Sequence, residues 1–253
     1  MEAYGLIGQK LSHSLSPQIH ALFGNHQYEC YEVKPERLKT FLRDTPLAGM
    51  NVTIPYKISV IQYCNVLSET ARKVGSVNTM VREHDGWRGY NTDYDGFKYL
   101  VTGTAGYDPE GKKAAILGNG GAARAVRAVL HDLGAAEIVT VSRRGPVTYD
   151  DSRAYADADL VVQTTPVGMY PEDGRSVISL DVFDRPEAVF DLIYNPMRTS
   201  IWSEARERGI TAENGLSMLV YQAARAEEIY FGKTISDEQV IDVILKMAGR
   251  MEG

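Results

Sequence analysis

Cysteine is scarce in this chain. Its two thiols, Cys30 and Cys64 among 253 residues, lie far apart and form no C-x-x-C, so neither a redox motif nor a zinc site is indicated. Both are expected as buried free thiols. Of the five histidines, His13, His20 and His26 fall near the N-terminus without a Cys or acidic cluster at metal-ligand spacing, and no metal is expected. Long apolar runs are missing as well, none approaching the ~20 residues of a membrane helix. The start, Met1-Glu2-Ala3-Tyr4-Gly5-Leu6, lacks a basic region followed by an apolar stretch, which leads to the expectation of a soluble, cytoplasmic protein with no membrane partner. Nor is positive charge in excess. A formal net charge of −6 argues against nucleic acid, whose phosphates are gripped by clustered Lys and Arg. Anionic small molecules stay open, since they need only a local positive site.

What is present is an ordinary globular composition, 44% hydrophobic and 24% charged, enough apolar surface for a core and a length suited to two modest domains. Short apolar runs alternate with amphipathic segments, the pattern of an α/β layer structure. Strands are expected at residues 3–7, 28–33 and 47–53, at 76–82 with 87–90 turning at Asp85-Gly86, and at 114–117, 137–141, 160–164, 188–193 and 210–213. Helices are expected from Ser16-Pro17 to about Asn25, with Ser16 as N-cap and Pro17 at the first helical position, and over 35–43, 55–64 and 68–74. Further helices should follow Asp95-Gly96 toward Gly103, cover 121–133, 201–208 and 216–231, and begin at Ser236, with Glu238 in the first turn. The Gly/Asp/Pro-rich stretch 106–111 reads as a boundary loop. No internal repeat or low-complexity segment is visible.

Gly118-Asn119-Gly120-Gly121-Ala122-Ala123 follows a predicted strand and opens a predicted helix, the context in which G-x-G-x-x-A marks a dinucleotide turn. Glycines let the backbone approach a pyrophosphate, and the helix N-terminus supplies donors. A cofactor with a free ribose 2′-OH meets an acid about 20 residues further on. This chain has Ser142-Arg143-Arg144 there, which favours NADP over NAD, because guanidinium groups match a 2′-phosphate in charge and geometry. The alternative is a solvated arginine pair.

Asn51-Val52-Thr53-Ile54-Pro55-Tyr56-Lys57 and Asn91-Thr92-Asp93-Tyr94-Asp95-Gly96 each end a predicted strand. A ketone accepting hydride develops charge on oxygen, so a donor must stabilise or protonate it. A free lysine amine carries its proton at neutral pH, and a nearby carboxylate would orient it. Lys57 and Asp93 can form that pair, although residue type alone reads more simply as a surface lysine and a helix cap.

The neighbours of that pair resemble the shikimate dehydrogenase family, in segments 8–20 (the Ser-x-Ser-Pro region), 49–57, 75–79, 89–96, 118–124, 165–171, 191–199 and 214–232, in order along nearly the whole chain. The resemblance implies NADPH-dependent reduction of 3-dehydroshikimate to shikimate, a step toward aromatic amino acids. It implies an N-terminal α/β substrate domain, residues 1–97 with 217–253, interrupted by a Rossmann-type NADP-binding domain, 98–216, with the last helices returning to the first domain and a cleft between the two. Lys57 and Asp93 match the family's catalytic pair. Ser14 and Ser16 match residues that bind the substrate carboxylate, and Thr53, Asn78, Asp93 and Gln222 residues that bind its hydroxyls. Besides Gly118, Asn119, Gly120, Gly121, Ala122, Ser142, Arg143 and Arg144, the cofactor set implied includes Thr165, Ile193, Tyr194, Gly215 and Met218. The family includes monomers and homodimers.

The chain also departs from the family. The adenosine-phosphate motif commonly reads Asn-Arg-Thr with another basic residue three positions later; here Ser142-Arg143-Arg144 is followed by Val147 at that place. Ser217 stands where glycine is common, and Glu227 where an aromatic is usual. Competing readings are a quinate/shikimate dehydrogenase using NAD, which would favour an acid where Arg143 lies, a methylenetetrahydrofolate dehydrogenase, which the Ser-x-Ser-Pro segment does not fit, and a regulator that binds NADP without turnover.

Overall fold

The computed structural model describes residues 2–252; Met1 and Gly253, the outer ends of the expected substrate domain, lie outside them. Along the chain run β1 (Tyr4–Gly8), α1 (Ser16–Leu22), β2 (Tyr28–Glu32), α2 (Leu38–Asp44), β3 (Gly49–Val52), β4 (Cys64–Leu67), α3 (Glu69–Val74), β5 (Thr79–Glu83), β6 (Gly86–Tyr90) and α4 (Asp93–Tyr99). They are followed by β7 (Lys113–Leu117), α5 (Gly121–Asp132), β8 (Glu137–Val141), β9 (Leu160–Gln163), β10 (Ala188–Asp191), α6 (Ser200–Glu207), β11 (Thr211–Asn214), α7 (Leu216–Phe231) and α8 (Asp237–Glu252). The chain divides into two compact units, residues 1–95 with 220–253, and 96–219. Both divisions fall inside helices, α4 and α7.

The first unit is built on a mixed sheet in the order β2-β1-β3-β5-β6-β4. β1 pairs in parallel with β2 and β3, while β5 runs antiparallel to both β3 and β6. Its core gathers Ile7, Met50, Met80 and Trp87 with Leu38, Leu42 and Val60, each burial of a large apolar side chain contributing roughly 1.5–3 kcal/mol. The second unit carries an all-parallel sheet in the order β11-β10-β9-β7-β8. Its strands are near-continuous apolar runs because both faces of a parallel sheet are covered; Ala115, Leu117, Val161 and Val189 are fully buried there. Sequential strands leave β7 in opposite directions, to β8 and to β9, which makes the carboxyl ends of β7 and β9 the topological switch point where such sheets take ligands.

Three sequence expectations need correction. Residues 55–64 do not form one helix: a turn leads to a single-turn helix at Ser59–Tyr63, and Cys64 begins β4 beside β6. The Lys57 carbonyl accepts the Val77 amide at 2.7 Å and so is taken out of any helical ladder. The β-branched residues around it add little helix propensity to oppose that. Ser16 is the first residue of α1, not its cap; Leu15 holds the cap position, and the Ser14 hydroxyl accepts the Ser16 amide at 3.3 Å. Cys30 is exposed, on the edge strand β2, and only Cys64 is partly buried, where burial pushes its thiol up to about 11. Among the described residues no helix is long and apolar enough to cross a membrane.

Candidate active site

The turn after β3 presents Lys57. Its neighbour Tyr56 is buried, with its hydroxyl donating to the Val33 carbonyl and its amide to the Thr53 carbonyl. The turn is therefore anchored before the lysine side chain leaves it. Asp93 begins α4, just beyond β6. Lys57 Nζ donates to Asp93 Oδ2 at 2.7 Å, with the lysine side chain 16% exposed and the carboxylate 5%. Asn91 Oδ1 accepts the Tyr94 amide at 3.1 Å, so the first turn of α4 is held by Asn91 and the Asp93 oxygens are turned to Lys57 and Asn78.

Asn78 fixes the other carboxylate oxygen. The Thr92 backbone amide donates to Asn78 Oδ1 at 2.7 Å; a backbone N–H can only donate, so the side-chain amide presents its oxygen to Thr92. Its Nδ2 then faces Asp93 Oδ1 at 3.1 Å, Thr92 Oγ1 at 2.9 Å and Gln222 Oε1 at 3.3 Å. Behind it, Asn51 Nδ2 donates to the Asn78 carbonyl at 3.3 Å and to Thr79 Oγ1 at 3.0 Å, while Asn51 Oδ1 accepts from the Tyr28 and Tyr230 hydroxyls at 2.7 and 3.0 Å. A satisfied buried network of this kind keeps one geometry, because any slip leaves a donor or acceptor unpaired at roughly 1–3 kcal/mol.

The structure brings Lys57, Asp93, Asn78 and Gln222 into one hydrogen-bonded group. Thr53 leaves the carboxyl end of β3, with its amide donating to the Ile7 carbonyl at 2.9 Å, and Ser14 and buried Ser16 lie at the start of α1. Among the described residues no hydrogen bond joins Ser14, Ser16 or Thr53 to the lysine–aspartate group. The group can bind a polar ligand and move one proton: a cationic donor with limited access to water, held by a carboxylate that is itself held.

In the second unit, Gly118 follows β7 with φ +116°, and a side chain there would meet Thr164 Oγ1 at 2.5 Å and Thr165 at 3.0 Å. Glycine is thus required by the fold as well as by a ligand. At Gly120 a Cβ would meet nothing within 4 Å. That open space above the first turn of α5, a twelve-residue helix with no side-chain cap, suits a pyrophosphate. Asn119 and Ser142 line a cavity of about 320 Å³ beside the end of β8; Arg143 and Arg144 are exposed just beyond. The donor set therefore fits a phosphorylated dinucleotide. Thr165 Oγ1 accepts the Val167 amide at 3.2 Å and so shapes its own loop. The Gly215 amide donates to the Ile193 carbonyl at 3.0 Å, which ties the ends of β10 and β11 together, and Met218 is buried. Nearby, burial pushes the Asp191 carboxyl up to about 6, against hydrogen bonds from Thr199 Oγ1 at 2.5 Å and the Ile193 amide at 3.0 Å. Ala122 and Gly121 form the first turn of α5 and Tyr194 follows β10.

Sequence reasoning assigned no role to Asn91, Thr92 or Thr79, although the first two stand inside the quoted motif. Short polar residues in a row at a strand end were the available signal. Arg127 and Thr140, which line the same cavity as Asn119 and Ser142, gave none.

Comparison with known proteins adds an independent finding. Residues 6–80 match the shikimate dehydrogenase substrate binding domain, and residues 215–245 the shikimate 5′-dehydrogenase C-terminal domain. A shikimate dehydrogenase (NADP(+)) from Methanopyrus kandleri is 38% identical, over 96% of this chain and 94% of its own. Among solved structures, a chorismate mutase/shikimate 5-dehydrogenase fusion protein from Clostridium acetobutylicum superposes with a TM-score of 0.91 at 37% identity, covering 100% of this chain and 98% of the other. Shikimate 5-dehydrogenase from Thermus thermophilus, in complex with NADP(H) and shikimate, gives 0.82 at 28% identity, covering 97% and 99%.

Proposed function

The chain belongs to the shikimate dehydrogenase family, and we propose that it catalyses the reversible NADPH-dependent reduction of 3-dehydroshikimate to shikimate, with Lys57 and Asp93 as the reacting pair. The observation that carries the residue assignment is the 2.7 Å contact between a partly accessible lysine and a buried carboxylate. When bound, the dinucleotide supplies the hydrogen and electron pair that add to the ketone carbon. Lys57 Nζ gives a proton to the ketone oxygen as charge builds there and regains one from water. Asp93 holds the ammonium in place before transfer, and Asn78 holds Asp93.

The remaining roles follow from chemistry. Ser14 and Ser16 offer hydroxyl donors for the substrate carboxylate, and Thr53 and Gln222 meet its hydroxyls. Polar groups that a wrong substrate leaves unpaired are what reject it. Asn78, whose amide nitrogen shares its two hydrogens among Thr92, Asp93 and Gln222, acts on the substrate mainly through Asp93. Gly118, Asn119, Gly120, Gly121 and Ala122 carry the pyrophosphate, Ser142, Arg143 and Arg144 the adenosine 2′-phosphate, and Thr165, Ile193, Tyr194, Gly215 and Met218 surround the nicotinamide half. A spectrophotometric assay of shikimate-dependent NADP reduction, repeated with quinate and with NAD, tests the reading. Turnover should be fastest with shikimate and NADP. No turnover, or a preference for quinate with NAD, would overturn it.

A further inference from the structure

The cavity beside the glycine turn is lined by a single charged side chain, Arg127, on α5. On one side it reaches Asn119, on another Ser142 at the end of β8, and Val147 also lines it. The guanidinium Nη2 of Arg127 donates to Thr140 Oγ1. Thr140, in β8, and Ser142, just past the end of that strand, line the same cavity. The arginine head is thereby anchored on the strand that leads to Ser142. Among the described residues no carboxylate lies within ion-pair distance of it, and a guanidinium with five N–H groups retains donors after bonding one hydroxyl.

We propose that Arg127 is a specificity-determining residue for the adenosine 2′-phosphate, supplying from α5 the charge that Val147 does not supply from the loop after β8. The inference deepens the NADP reading above and rests on it. A phosphate monoester presents several acceptor oxygens and close to two negative charges, and a planar fork of N–H donors recognises it by charge and geometry together. An apolar Val147 facing the same space gives that phosphate neither. Arg143 and Arg144 are exposed at the strand end, and Arg127 adds a cation from the cavity wall.

Calorimetric titration of 2′,5′-ADP and of 5′-AMP into the purified protein and into Arg127→Ala tests this. These two probes differ by the phosphate in question. Arg127→Ala should weaken 2′,5′-ADP about 10- to 50-fold, the loss of a charge-assisted hydrogen bond, and leave 5′-AMP within about 2-fold. kcat/KM should fall by a similar factor with NADPH and hold with NADH. Retained 5′-AMP affinity reports an intact fold, and adding Val147→Arg to Arg127→Ala should recover 2′,5′-ADP binding. Unchanged 2′,5′-ADP affinity, or equal loss of both probes, overturns the assignment of Arg127. Failure of the unsubstituted protein to prefer 2′,5′-ADP over 5′-AMP overturns the NADP reading itself, and this inference with it.

Discussion

Asp93 and Glu227 are both buried carboxylates of the same unit, and both are met by nitrogen-bearing side chains. Around Glu227, His20 Nδ1 lies at 2.6 Å, Asn25 Nδ2 at 2.9 Å and Lys233 Nζ at 3.4 Å, with Glu227 and His20 each 0% exposed. The His20 ring stacks on Tyr28 with centroids 3.7 Å apart. Burial holds His20 below its ordinary range, so at neutral pH the neutral ring donates from Nδ1, and Lys233 balances the carboxylate. Asp93, in contrast, holds its lysine at 2.7 Å, with Lys57 16% and Asp93 5% exposed, whereas the more open Lys233, 36% exposed, stands 3.4 Å from a fully buried Glu227 and also donates to the Phe23 carbonyl at 3.0 Å. The Glu227 group instead ties α1, the helix that starts at Ser16, to α7, which carries Gln222. The two carboxylates differ in how closely a lysine is held and in which groups surround it, not in residue type.

The comparison breaks first at Lys57. Lys57→Ala should lower kcat about 10²- to 10⁴-fold, the usual reach of acid–base catalysis, with NADPH affinity and the unfolding midpoint little changed. A variant that keeps turnover within tenfold would remove the distinction. Glu227→Ala should do the reverse. It strands His20, Asn25 and Lys233 and should cost about 3–5 kcal/mol, as breaking a buried pair does, measured by denaturant unfolding, while kcat per folded molecule stays close to normal. Loss of kcat without loss of stability would place Glu227 in the chemistry.

The smallest effect is a pH dependence. The unfolded chain protonates His20 near its ordinary value of 6.5, while the native ring binds its proton only at lower pH. Below pH 6.5 the unfolded state therefore binds more protons, and stability falls as pH drops from 6.5 toward the native value; above 6.5 this contribution is flat. Urea midpoints at several pH values, compared between the unsubstituted protein and His20→Asn, should differ in slope only in that acid window. Parallel curves would show that His20 does not titrate as described. In the other unit Asp191, raised to about 6 from 3.8, works with the opposite sign, costing stability as pH rises from 3.8 to 6, and the paired comparison cancels it.

Legibility in the sequence followed the range of the interactions. β8 and α7 run over the residues expected of them, because a parallel strand and a long helix announce themselves by local runs and periods. The segment after Pro55 was misread, since what decides it is a hydrogen bond from Val77 some twenty residues on. Glu227 was visible as a departure from the family, but its partners His20 and Asn25 stand more than 200 residues away, beyond any pattern of spacing. Lys57 and Asp93 were nameable through the resemblance; residue type alone left Asp93 as a helix cap. It is Asn91, taking the Tyr94 amide, that frees the carboxylate for the lysine.

By itself, then, the sequence determined the layered α/β class, the strand-turn-helix around Gly118 and the family resemblance, all of which are written in neighbouring residues and their order. Only the tertiary structure decided which of two buried carboxylates pairs closely with a lysine, which way the Asn78 amide faces, and that Arg127 borders the same cavity as Ser142. Those outcomes depend on burial and on contacts between distant segments, which come into being only when the chain has folded.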